Sequence, residues 1–184
     1  MSTSPDRHAA LEERDGRSAL RFQRMLPHPP ERVWSALTSP QELASWHPTP
    51  FALHWDAGGP GRGGRVAFDP PAHVPEIPDG RVLEYDPPRL LAYTWWEDEL
   101  RWELEPHAEG CLLTLTHIFD DRFKAARDAA GWHLCLRALD RTLAGEADQG
   151  QSEQRIPDGW AELNGDYQRR FGISPDQATP PPTV

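Results

Sequence analysis

At 184 residues the chain suits one folded core with appendages better than two independent cores. Its 19 Lys+Arg stand against 29 Asp+Glu, and a net charge of -10 sets up a field that repels polyanions, so nucleic acid is not an expected partner. No run approaches the roughly 20 apolar residues that cross a bilayer, and Met1 to Arg21 alternates charges where a signal peptide needs an apolar stretch, so a cytoplasmic protein without membrane insertion is expected.

Hydrophobic residues make up 38% of the chain and the mean hydropathy is -0.70, yet eight tryptophans supply a large apolar area from few side chains. The core should therefore be aromatic. Cys111 and Cys135 lie in apolar segments without CxxC spacing and read as buried free thiols in a reducing compartment.

Residues 1–18 are polar with scattered apolar side chains and read as a disordered or loosely docked arm. From Ala19 to Leu26 the period is two, with Leu20, Phe22 and Arg24 set against Arg21, Gln23 and Met25, which predicts a strand ended by Pro27, Pro29 and Pro30. Pro30 then opens a short helix to Thr38, where its missing N–H costs nothing and Val33, Trp34 and Leu37 share a face. A second short helix follows Ser39-Pro40 with Leu43, Ala44 and Trp46 apolar, and it must stop near His47 because Pro48 disfavours helical backbone in the residue before it.

Between Phe51 and Phe119 turn residues punctuate a period of two. Strands are predicted at 65–69, 80–85, 89–96, 99–105 and 110–119, most of them joined by hairpin turns. Leu100, Trp102 and Leu104 alternate with Arg101, Glu103 and Glu105, so the sheet has one wet face. The matching inward sets are Leu91, Tyr93 and Trp95, then Leu113, Leu115, His117 and Phe119. A long helix is predicted over 122–145, about 36 Å at 1.5 Å per residue, with Trp132, Leu136, Leu139 and Leu143 in one stripe. A last amphipathic helix over 159–171 carries Trp160, Leu163, Tyr167 and Phe171, and residues 174–184 read as a frayed tail. The resulting division is an arm at 1–18, a domain at 19–147, a C-terminal extension at 148–173 and a tail at 174–184.

Several strings invite chemistry and resolve more simply. Gly59-Pro60-Gly61-Arg62-Gly63-Gly64 satisfies GxGxxG, but Val66-Ala67-Phe68 continues as a strand where a dinucleotide site needs a helix N-terminus, so it reads as a flexible loop. The histidines form no HxH, HxxxH or HExxH set, and no metal is expected. No GxSxG occurs, and no catalytic residue is assigned. Glu97-Asp98-Glu99 reads as a solvated hairpin turn. His117, on the inward parity of its strand, and His133, beside Trp132, read first as hydrogen-bonded core or rim histidines and second as ligand-polarising or acid/base groups.

The order of elements and five stretches carry a family resemblance: 30–38 (PERVWSALT), 63–66 (GGRV), 87–95 (PPRLLAYTW), 113–117 (LTLTH) and 131–139 (GWHLCLRAL). Together they resemble the START-like, birch-pollen-allergen-like superfamily, and within it the activator of heat-shock-protein-90 ATPase homologue-like group. The resemblance implies an α+β helix-grip fold, in which a curved antiparallel sheet wraps around a long C-terminal helix and the two enclose a cavity. For this chain the cavity would be a small apolar pocket lined by Trp46, Tyr93, Trp95, Trp102, Leu115, His117, Trp132 and Leu136. A binding module for a small hydrophobic or aromatic molecule, without a cofactor, is the first expectation. A cyclase or aromatase-type enzyme with His117 as acid/base is the second. A co-chaperone is the third, and it is disfavoured because only the 18-residue arm precedes the first strand where the family's co-chaperone carries a chaperone-binding domain. A homodimer through the C-terminal helix or a sheet edge is compatible with the sequence.

Overall fold

In the computed structural model, which describes residues 8–69, 77–146 and 159–180, the alternating segments become strands of a single antiparallel sheet. The strands are β1 (Ala10–Arg14), β2 (Arg17–Leu26), β3 (Phe51–His54), β4 (Arg65–Phe68), β5 (Gly80–Asp86), β6 (Leu90–Trp95), β7 (Asp98–His107) and β8 (Gly110–Phe119), in the spatial order β1-β2-β8-β7-β6-β5-β4-β3. Helices α1 (Pro30–Thr38) and α2 (Pro40–Leu43) follow β2, each with proline in its first turn. The long helix begins as a 3-10 turn at Arg122–Lys124, capped by Asp121, and continues as α3 (Ala125–Leu143), and α4 (Trp160–Phe171) packs on α3.

Three expectations are corrected. Part of the supposed arm is a strand: Asp15 and Gly16 both take positive φ, the backbone a tight hairpin turn needs, and they fold Ala10–Arg14 back on β2 with Leu11 opposite Leu20. Its charged residues lie at a sheet edge, where they discourage pairing with another chain. The tail is docked as far as it is described, with Thr179 bonded to Phe123 O and Asp121, and Arg127 bonded to Pro180 O. The second short helix ends at Leu43, three residues before Trp46, in a turn that carries the chain to His47.

Register fixes what faces α3. Leu20, His117, Leu100 and Tyr93 lie opposite one another across β2, β8, β7 and β6, and Phe22, Leu115, Trp102 and Leu91 form the next row. Because side chains alternate across a strand, both rows point to one face, and all of these side chains are buried. Gly110 permits the close crossing of β2 and β8, since a Cβ there would lie 1.9 Å from Leu26 O. Helix α3 lays Ala125, Ala126, Ala129, Trp132, Leu136 and Leu139 into buried positions, small residues bringing the helix close and Trp132 filling the deeper space. On the flank facing α4, His133 Nδ1 and the Ala9 N–H both meet the Tyr167 hydroxyl, at 2.8 and 3.0 Å, which ties the N-terminal segment to both helices. Cys111 and Cys135 are both free.

Candidate functional site

The interior between sheet and α3 brings the sequence-predicted lining residues together. Trp46 comes from the turn after α2, Tyr93 and Trp95 from β6, Trp102 from β7, Leu115 and His117 from β8, and Trp132 and Leu136 from α3. All are buried except Trp95, which is partly exposed. Their rings touch: centroids are 5.5 Å apart for the tilted pair Trp95 and Trp132, and 5.6 Å for the edge-to-face pairs Trp102 and Trp132, and Trp46 and Trp102. In this conformation the volume is occupied by indoles. Two surface depressions lie elsewhere. One, about 320 Å³, is a groove rimmed by Arg14, Arg17, Arg62, Glu84, Glu99 and Arg101; the other, about 470 Å³, lies between Ala9–Leu11 and the end of α4.

Two polar networks thread the aromatic interior. The first runs along β7, β8 and α3. Trp132 Nε1–H donates to His117 Nδ1 at 3.1 Å, which leaves Nε2 to carry the ring proton, and Nε2–H donates to Asp98 Oδ2 at 2.7 Å. Lys124 Nζ holds the same carboxylate at 2.8 and 2.6 Å. Burial by itself would raise the Asp98 pKa, but the hydrogen bonds from His117 and Lys124 and the positive charge of Lys124 outweigh it and hold the carboxyl below its ordinary value. Asp98 therefore corrects the reading of Glu97-Asp98-Glu99 as a solvated turn. Glu97 lies in the two-residue β6–β7 turn, while Asp98 begins β7 on its inward parity. Trp96, the first residue of that turn, takes a positive φ of 54°, which is strained for a bulky side chain and places the strain beside the network.

The second network was not legible as a site. His47 is buried among Trp46, Phe51, Trp102 and Trp132, and burial lowers its pKa to about 3, against a smaller raising effect of its backbone contact at Thr49, so the ring is neutral. The Thr49 N–H donates to Nδ1 at 3.1 Å, which leaves Nε2–H to donate to the Tyr93 hydroxyl at 3.2 Å. Trp102 Nε1–H reaches the same oxygen at 3.4 Å, and Trp95 Nε1–H donates to Thr49 Oγ1 at 2.9 Å. Burial raises the Tyr93 phenol's pKa, and the Trp102 hydrogen bond offsets only part of that rise. Only the two prolines flanking Thr49 hint at this rigid loop in the sequence.

Among the described residues, metal chemistry has one candidate donor set. Ligand atoms of Asp98, His117 and Asp128 lie within 4.8 Å of one another. Lys124 already sits on Asp98, Arg127 Nε on Asp128 at 2.7 Å, and the Trp132 indole on the His117 Nδ1 lone pair. The negative charge that would attract a cation is neutralised from within the chain, so the set fits an ion pair better than a metal ion.

The fold matches solved structures. CalU16 from Micromonospora echinospora superposes with a TM-score of 0.72 at 19% identity, covering 94% of this chain and 97% of that one. Protein EF2215 from Enterococcus faecalis gives 0.69 at 17% identity over 90% and 92% of the two chains. The protein encoded by BPP1335 from Bordetella parapertussis gives 0.64 at 29% identity over 92% and 95%. No curated protein matches the sequence. The model of the activator of Hsp90 ATPase homolog 1-like proteins matches residues 27–144, from the end of β2 to the end of α3, which is well over half of the chain. By that match, together with the helix-grip architecture, the chain belongs to the activator of Hsp90 ATPase homolog 1-like family.

Proposed function

We propose that the protein is a binding module that takes a small hydrophobic or aromatic molecule into the space between the sheet and α3. The observation that carries the reading is the placement of His47, Thr49, Tyr93 and His117 inside an otherwise aromatic interior, each no more than 5% exposed. A core built only for stability gains nothing from burying such groups, because each hydrogen bond only offsets desolvation. Sites for small molecules combine apolar walls with a few placed polar groups in this way. Entry requires an indole or phenyl ring to move, and Trp95 and Phe68, both only partly buried, are the rings nearest solvent. The test is a chemically diverse panel of aromatic and acyl compounds, read by melting temperature and by native mass spectrometry of protein purified from its own host. A co-purified ligand, or a panel member that raises the melting temperature in proportion to its concentration, supports the module. A panel without effect, with no co-purified mass, defeats it.

A second reading, an acid/base enzyme of the cyclase type, is favoured by the 2.7 Å contact between His117 and Asp98. If a ligand displaced the Trp132 indole, His117 Nδ1 would face it as a base while Asp98 fixed the ring through Nε2–H. Deuterium exchange into the methyl group of acetophenone in D2O, catalysed by the wild type and lost in a folded His117→Ala variant, is the expected result for this reading. Equal exchange in the two proteins removes it.

A further inference from the structure

The hydrogen-bond roles around Tyr93 are fixed by its partners. A backbone N–H is only a donor, so His47 Nδ1 must accept from Thr49, and a neutral ring then presents N–H at Nε2. An indole N–H is also only a donor. The Tyr93 oxygen consequently accepts from both His47 and Trp102, and both of its acceptor positions are taken. Its own proton has no acceptor among the described residues. A fully buried phenol that receives two hydrogen bonds and gives none is rare, because an unmade buried hydrogen bond is costly.

We propose that the Tyr93 hydroxyl is the orienting donor for the ligand, and that the ligand is a neutral aromatic or hydrophobic molecule presenting a carbonyl oxygen, of the ketone or quinone class. This rests on the binding-module reading above and supplies its chemistry. The Tyr93 hydroxyl offers a proton and no free acceptor position, so an alcohol or phenol held there must find a second partner for its own O–H, whereas a carbonyl only accepts. An anionic ligand is excluded by charge. Lys124 is engaged by Asp98, Arg24 lies two inward rows away opposite Leu113, and His47 is neutral, so a carboxylate beside Tyr93 would be buried without a cation. The two donors to the Tyr93 oxygen also draw electron density from it, which makes its proton a stronger donor.

The experiment uses the full chain and three probes of one shape: acetophenone, 1-phenylethanol and ethylbenzene, with affinities measured by calorimetry for wild type and Tyr93→Phe. The expected result is that Tyr93→Phe weakens acetophenone roughly three- to tenfold relative to ethylbenzene, a ratio in which the hydration of the probes cancels. In the wild type, 1-phenylethanol should bind more weakly than the ketone. Since Tyr93→Phe also strips the acceptor from His47 and Trp102 and could unfold, the carbonyl infrared band of acetophenone bound to wild type is a second measurement. A band shifted below its position in hexane is expected. Binding of all three probes with equal loss in Tyr93→Phe, or a hexane-like carbonyl band, overturns the donor assignment and leaves the binding module standing. If none of the probes binds, the module itself fails for this ligand class, and the assignment falls with it.

Discussion

Replacing Asp98 by Asn tests whether the buried ion pair is structural in the way its geometry implies. Asn keeps the shape but loses the charge, and one of its two ends becomes a donor, which must face either the His117 Nε2–H or the Lys124 ammonium. Removing one partner of a fully buried pair costs about 3–5 kcal/mol. Lys124 retains some exposure and can turn its ammonium to water, which brings the cost to the foot of that range and below it, about 2–3 kcal/mol. For a chain of this size that lowers the melting temperature by roughly 5–10 °C. Acid provides the control. The folded pKa of Asp98 lies below its ordinary 3.8, so its contribution is complete above that value and is lost as pH falls through the folded pKa. Urea unfolding at a series of pH values should therefore give a wild-type-minus-variant difference that is constant from pH 7 to 5 and shrinks in strong acid. A difference below about 0.5 kcal/mol at neutral pH, the size of an ordinary surface change, or one that persists undiminished in acid, would refute the assignment.

His47 is held neutral with a pKa of about 3, while the unfolded ring titrates near 6.5. Unfolding stability should thus fall as pH drops from about 6.5 toward 3, with a contribution of up to about 1.4 kcal/mol per pH unit. In His47→Gln that slope should flatten, and the His47 ring should show no protonation shift by NMR between pH 8 and 5. Trp132→Ala should cost about 3–5 kcal/mol and open a cavity framed by His47, Trp95, Trp102 and His117. Added indole should restore part of the lost melting temperature, and its failure to bind would show that the surroundings collapse instead. Tyr167→Phe removes the partner of Ala9 N and His133 Nδ1. It should cost about 1–3 kcal/mol, with faster hydrogen exchange at Ala9 than in the wild type.

The inward rows of the sheet were legible because apolar and charged residues alternate cleanly, as in Leu100-Arg101-Trp102-Glu103-Leu104, and α3 was legible from the spacing of Trp132, Leu136, Leu139 and Leu143. Strand β1 was hidden because an edge strand with little buried area has no apolar alternation to display, and the Asp15-Gly16 turn was its only strong signal. Asp98 was misread because acidic triplets usually mark turns, although extending the Leu100–Trp102 parity back by one step already puts it inward. The part played by His47 was beyond sequence reasoning, since it depends on which ring nitrogen meets the Thr49 amide and on three rings that arrive from β3, β7 and α3. That the lining was collapsed on itself was likewise not readable, because the same aromatic residues suit a lined pocket and a filled one.

The indoles form a continuous series from the surface inward: Trp96, Trp95, Trp132, Trp102 and Trp46, with successive centroids 5.1, 5.5, 5.6 and 5.6 Å apart. Transition dipoles that close couple strongly, so light absorbed by any one indole is shared along the row before it is emitted. Trp96, at 43% exposure, and Trp46, at 4%, are thereby two ends of one coupled row. What these five indoles add to the near-ultraviolet circular dichroism is a property of the row, beside the separate signals of Trp34, Trp55 and Trp160, and moving any one of the five changes the contribution of all.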